Sequence, residues 1–170
     1  MKSKELAVGG LLTALALIIP LAFGGVLGVV LGPFSATLAS HVPMLLAMLV
    51  SPFAAVMVGL GSAFGFLVRL GPVVGARAAV HALAGYVGAK LIQRGVPYSR
   101  VLLLTLPVHA VAEAIVVIPF VGFTAYVYIT GVGTAAHHLA DSGIALALVA
   151  ALRPVLGPIL SSFAKAGGRL

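Results

Sequence analysis

The chain has 170 residues, of which 62% are hydrophobic and 8% charged, with five histidines, no cysteine and a formal net charge of +7. Water-soluble domains carry roughly a quarter charged residues, so this composition excludes an ordinary soluble domain and points to an integral membrane protein. No disulfide or thiolate chemistry is open to it, and the basic residues stand singly between apolar blocks rather than in the patch that nucleic-acid binding requires.

A helix needs about 20 apolar residues to cross the hydrocarbon. On that measure the sequence predicts an all-α integral membrane protein, a six-transmembrane-helix bundle forming a single domain over 1–170. The first helix is predicted over 6–23. Lys2 and Lys4 before it look like the start of a signal peptide, but apolar sequence continues past Ile18, Ile19 and Pro20. That favours an uncleaved first span. The second is predicted over 35–50, interrupted by Pro43, and the third over 53–68 after Ser51-Pro52. In the third, Gly61-x-x-x-Gly65 places two small residues on one face, where another helix can approach closely. Gly10-x-x-x-Ala14 does the same in the first. The fourth, fifth and sixth helices are predicted over 75–90, 101–121 and 134–163. The 122–133 stretch is either loop or partly inserted helix. So much of the chain is helix that no soluble catalytic domain fits, and neither enzyme activity nor a cofactor is expected.

Orientation follows from lysine and arginine. Lys2 and Lys4, then Lys90, Arg94 and Arg100, then Lys165 and Arg169 fall on one side of a six-span chain, with Arg153 inside the last segment. The positive-inside rule makes that side cytoplasmic, so a multi-pass cell-membrane protein with both termini cytoplasmic is expected. Arg69 and Arg77 flank the turn on the other side and break the pattern.

In PVHAVAEAIVVIP (residues 107–119) a histidine and a glutamate stand four residues apart inside an apolar run. Two further helices carry similar pairs: Arg77 with His81, and His137 with Asp141. A spacing of four stacks both side chains on one helix face. With the orientation above, all three pairs lie between the midplane and the outer surface, and His41 lies at the outer part of the second segment. Ionisable groups at that depth mark a substrate or ion path. The candidate binding residues are Arg77, His81, His109, Glu113, His138 and Asp141. Each has a plainer reading: Arg77 snorkelling to the interface, His81 a satisfied core histidine, His137 an interfacial side chain, and His138 and Asp141 capping the start of the last helix. Glu113 lies too deep to snorkel and needs a partner or a ligand.

The chain has no P-loop for ATP and no H-E-x-x-H zinc-peptidase motif. A polar pocket without a motor suggests a capture subunit. The run ATLASHVPMLLAMLVSPFAAVMVGLGSAFGFLV (residues 36–68), with the six-helix plan, resembles the substrate-binding S components of energy-coupling factor transporters, niacin-type ones more than those for riboflavin or biotin. The resemblance implies capture of a vitamin from outside. It also implies docking on a transmembrane scaffold protein that carries two cytosolic ATPases. In that family an Ala-x-x-x-Ala face of the first helix meets the scaffold; here Gly10 and Ala14 are the nearest match, a departure from the pattern. Arg77 suits a carboxylate, since a guanidinium makes paired charged hydrogen bonds. With no tryptophan and four tyrosines, a small heterocycle such as nicotinate is the expected ligand. The rival reading is transport of a divalent transition metal on His81, His109, His138, Glu113 and Asp141, because imidazole and carboxylate suit such ions. Against it stand the basic Arg77 in the pocket and the Met-Lys-Ser start, where nickel-type S components begin Met-His.

Overall fold

Prolines mark where the helices begin. Pro43, Pro52, Pro72 and Pro119 each stand in the first turn of one, where the missing N–H breaks no intrahelical bond. A computed structural model describes residues 3–31 and 34–167. Its elements in chain order are α1 (Ser3–Ile18) with a π-helical turn over Ile19–Phe23, β1 (Gly28–Leu31), β2 (Phe34–Thr37), α2 (Val42–Ala47), α3 (Pro52–Leu70), α4 (Pro72–Gln93), α5 (Tyr98–Val116), α6 (Ile118–Val121) and α7 (Ala125–Gly167). Lys2 and Arg169 lie outside the described residues, as does the side chain of Lys165.

Four stretches are long and apolar enough to cross a membrane: Ser3–Phe23, Pro52–Leu70, Tyr98–Val121 and Ala125–Val155. Their outward faces carry Leu11, Leu15, Phe53, Leu60, Phe64, Leu103, Val111 and Ile115, all exposed. A soluble monomer rarely shows so continuous an apolar surface. The protein is therefore a helical, multi-pass membrane protein.

Two predicted segments differ from the structure. The second, expected as a helix over 35–50, is instead β2, a tight turn and the six-residue α2. β2 pairs antiparallel with β1, from Gly28 opposite Thr37 to Leu31 opposite Phe34. The helical pattern fails because Ala39 takes a left-handed backbone, φ 68°, which an α-helix cannot contain. Much of this non-helical stretch is covered by the rest of the protein, for Phe34, Thr37, Ser40 and His41 are buried. The last helix, predicted from 134, begins at Ala125. At 1.5 Å per residue its 43 residues span about 64 Å, more than the hydrocarbon thickness.

Small residues bring the helices together. A Cβ on Gly61 would strike Thr13 of α1, and one on Gly65 would meet Leu17 and Pro20. The small-residue pair read from the sequence thus faces α1. On another face of α3, Gly59 abuts the α4 backbone at His81 and Ala82, where no side chain fits. Ser51 caps α3 by accepting the Ala54 N–H at 3.2 Å. α3 ends at Gly71, φ 86°, and turns directly into α4. A core of Met44, Leu45, Met48, Ala55, Val58, Val101 and Leu102 fills one part of the bundle. Beside it lies a second buried region whose side chains are polar.

Candidate functional site

Only three carboxylates exist in the chain, and two of them, Glu113 and Asp141, are buried in this polar region. α4 contributes Arg77 and His81, held against α3 by the Gly59 contact. α5 contributes His109 and Glu113. α7 contributes Thr134, His137, His138 and Asp141, and the turn between β2 and α2 contributes His41.

Glu113 is the hub. Its Oε2 accepts two hydrogen bonds from Arg77, from Nε at 2.9 Å and Nη2 at 2.7 Å, and one from the Thr134 hydroxyl at 2.7 Å. Its Oε1 faces His109 Nε2 at 3.1 Å and His81 Nε2 at 3.7 Å. Arg77 is 4% exposed and Glu113 3%, so snorkelling is not what Arg77 does. A buried ion pair persists when the remaining lone pairs and protons find partners, and those contacts supply them. Arg77 also reaches the Ser35 carbonyl through Nη1 at 3.4 Å and lies 5.2 Å from the Phe34 ring centroid.

Behind Glu113 runs a chain of ring nitrogens. His138 donates Nε2–H to the Leu102 carbonyl at 3.0 Å. Its Nδ1 meets His109 Nδ1 across 3.0 Å, and His109 Nε2 lies 3.1 Å from Glu113 Oε1. With both rings neutral, His138 Nδ1 is the acceptor, His109 donates to it, and His109 Nε2 is bare; a cation or one added proton is then needed to join that nitrogen to the carboxylate. His81 Nδ1 meets the Ser62 hydroxyl at 2.9 Å; with that hydroxyl accepting, His81 Nε2 is likewise bare toward Glu113.

Asp141 is used differently. Its Oδ1 accepts the Ala39 N–H at 2.8 Å and its Oδ2 the His41 N–H at 2.9 Å. It thereby satisfies two amides of the broken segment and holds Ala39 in its left-handed conformation. His137 Nε2 and His41 Nδ1 lie 3.2 and 3.4 Å from Oδ2, and His137 also reaches the Thr37 carbonyl at 3.1 Å. Asp141 stands well inside α7 rather than at its start, so it is not an N-terminal cap. The His41 ring contacts those of His81, His109 and His137, at centroid distances of 4.8, 4.6 and 4.1 Å.

A small cleft opens here, lined by Ser35, His41, Phe66, Arg77, His81, Glu113, Thr134 and His137 among others. Of the six residues singled out from the sequence, Arg77, His81 and Glu113 line it. His109 stands behind Glu113, His138 behind His109, and Asp141 beneath the turn. The candidate list left out His41, His137, Thr134 and Ser62. The sequence did pair His137 with Asp141 and did place His41 at the same depth, but that His41 joins the cluster depends on the break at Ala39. Two sets of donors could hold a cation: His41, His81, His109 and Glu113, and His41, His137 and Asp141, each set within 4.8 Å.

Fold and site together define a helical membrane protein with a buried, charged pocket. The chain is similar to the niacin transporter NiaX of Lactococcus lactis subsp. cremoris (strain MG1363), 35% identical over 94 residues that make up 55% of this chain and 41% of the relative. It thus matches less than half of that protein's length. The match agrees with the niacin-type resemblance of residues 36–68 to S components. No family profile and no solved structure matches the chain.

Proposed function

We propose that this protein is the high-affinity capture subunit of an energy-coupling factor uptake transporter, and that it binds nicotinate in the cavity beside Arg77. The observation that carries the reading is a buried guanidinium at the cavity wall. Two of its nitrogens are fixed by Glu113, while Nη1 makes only the long contact to the Ser35 carbonyl. A carboxylate entering the cavity replaces that weak bond with a charged one, and charged hydrogen bonds are the strong ones. Phe34, Phe66 and the histidine rings offer flat surfaces for a pyridine ring. The likeness to a niacin transporter supports the ligand, and it does not favour a metal as cargo.

The rest of the reading concerns assembly. The chain acts as one membrane domain with six crossings and both termini cytoplasmic; β2, the turn and α2 together make the second crossing. It docks on a membrane scaffold bearing two cytosolic ATPases. Gly10 and Ala14 are exposed on α1, with nothing near a Cβ at Gly10, while Gly9, Leu12 and Ala16 face inward. That leaves the small-residue face free for a close helix partner.

The test is calorimetric titration of detergent-purified protein with nicotinate and with nicotinamide, its uncharged amide. Nicotinate is expected to bind at sub-micromolar concentration without ATP, and Arg77→Ala to weaken nicotinate far more than nicotinamide. Equal weakening of the two would remove Arg77 from ligand recognition, and no binding of either would remove the vitamin.

A further inference from the structure

We propose that His41, His81, His109 and Glu113 form a resident site for one divalent transition-metal ion, zinc or cobalt in class, whose open side faces the cavity. The ion is a fixed part of the pocket, not the cargo. The argument begins with where protons are missing. With His109 and His138 neutral, the chain of contacts from the Leu102 carbonyl leaves His109 Nε2 a lone pair 3.1 Å from a carboxylate oxygen, a contact that a cation or an added proton must bridge. His81 Nε2, bare if Ser62 accepts from Nδ1, points at the same oxygen from 3.7 Å. His41 adds a third imidazole; its buried Nδ1 makes no hydrogen bond, lying 3.4 Å from Asp141 Oδ2. Acceptors brought together this way repel one another unless positive charge lies among them.

The spacing fits an ion. Bonds of about 2.0–2.1 Å at tetrahedral angles put neighbouring ligand atoms about 3.3 Å apart. The two separations at Oε1, 3.1 and 3.7 Å, bracket that value, and all four donors lie within 4.8 Å of one another. The outer partners fit as well. Histidines that bind metals donate their second N–H to a neighbour, and ligating carboxylates are themselves hydrogen-bonded. His109 has His138, His81 has Ser62, and Glu113 has Arg77 and Thr134 on its other oxygen. That last arrangement keeps the guanidinium and the ion on opposite oxygens of one carboxylate. His41, His81 and Glu113 line the cavity, so a ligand carboxylate or pyridine nitrogen can complete the coordination. Imidazole and carboxylate donors suit zinc and cobalt. The ion's own binding is independent of the proposed vitamin; its role as co-ligand rests on that reading.

The full chain, purified in detergent without a polyhistidine tag, is stripped with chelator and reloaded with Zn2+ or Co2+. One ion per chain is expected to survive dialysis, with the intense visible d–d absorption of four-coordinate cobalt. His81→Ala and His109→Ala should each weaken retention by more than the roughly 10–100-fold that loss of an outer-shell partner costs, and the same change at the remote Glu5 should not. Nicotinate should shift the cobalt spectrum and bind more weakly after stripping. An ion-free protein after reloading, with nicotinate binding intact, overturns the ion and leaves a proton in its place. Equal retention by the histidine variants also overturns it. Retained cobalt with no response to nicotinate supports the ion and overturns its role as co-ligand, while the titrations with nicotinate and nicotinamide decide the vitamin.

Discussion

Glu113 and Asp141 are both carboxylates, both buried and both four residues from a histidine on their own helix, yet they are held in opposite ways. Glu113 is surrounded by side chains from three helices and forms part of the cavity wall. Asp141 is held by backbone amides of a turn and does not reach the cavity. One carboxylate is shared among side-chain donors at the cavity wall. The other satisfies backbone amides of the buried turn before α2. The same residue type four residues from a histidine therefore makes a binding wall in one place and a structural clamp in the other.

Several substitutions would break or sharpen that contrast. The largest effect is expected from Glu113→Ala, which leaves the Arg77 guanidinium buried without a counter-charge. Removing one partner of a buried pair costs about 3–5 kcal/mol, so thermal unfolding in detergent should fall steeply. The double variant with Arg77→Ala should lose less than the two single losses added together. Additive losses would mean that the pair is not coupled. Next is Arg77→Ala read by ligand binding. A charged hydrogen bond contributes about 1.5–3 kcal/mol, or about 10–150-fold in affinity. Nicotinate should weaken by that much, with nicotinamide little changed in the same titrations.

Asp141→Asn should matter less and differently. The amide keeps one acceptor for the Ala39 or His41 N–H and loses the other, for about 1–3 kcal/mol of stability. Its effect on the nicotinate affinity of the folded protein should be smaller than that of Arg77→Ala. A larger one, measured on folded protein, would place Asp141 in the binding wall and end the contrast. The smallest effect on stability and binding is expected from Gly10→Leu with Ala14→Leu, since both positions are exposed. Uptake by whole cells should nevertheless fail if that face meets the scaffold. Normal uptake would move the docking surface elsewhere on the chain.

Much was legible in the sequence. Composition and apolar runs settle the membrane class, because hydrocarbon admits few charges. The spacing of four in Arg77/His81, His109/Glu113 and His137/Asp141 was also readable, because it follows from helix geometry alone. Gly61 and Gly65 announced a close helix contact in the same way. What periodicity could not report was the break in the second segment. Apolar residues over 42–50 suit a helix, and the departure at Ala39 is held in place by Asp141, 102 residues away in the chain.

The sequence by itself therefore determined the solvent, the long helices and the face on which each polar pair lies, since each of these depends on residues near one another in the chain. Only the tertiary structure decided which carboxylate faces the cavity, that His41 joins the cluster, and that Arg77 is paired rather than snorkelling. Those outcomes depend on which buried donors meet which acceptors between helices, and in a low-dielectric interior the pairing decides what each group can do.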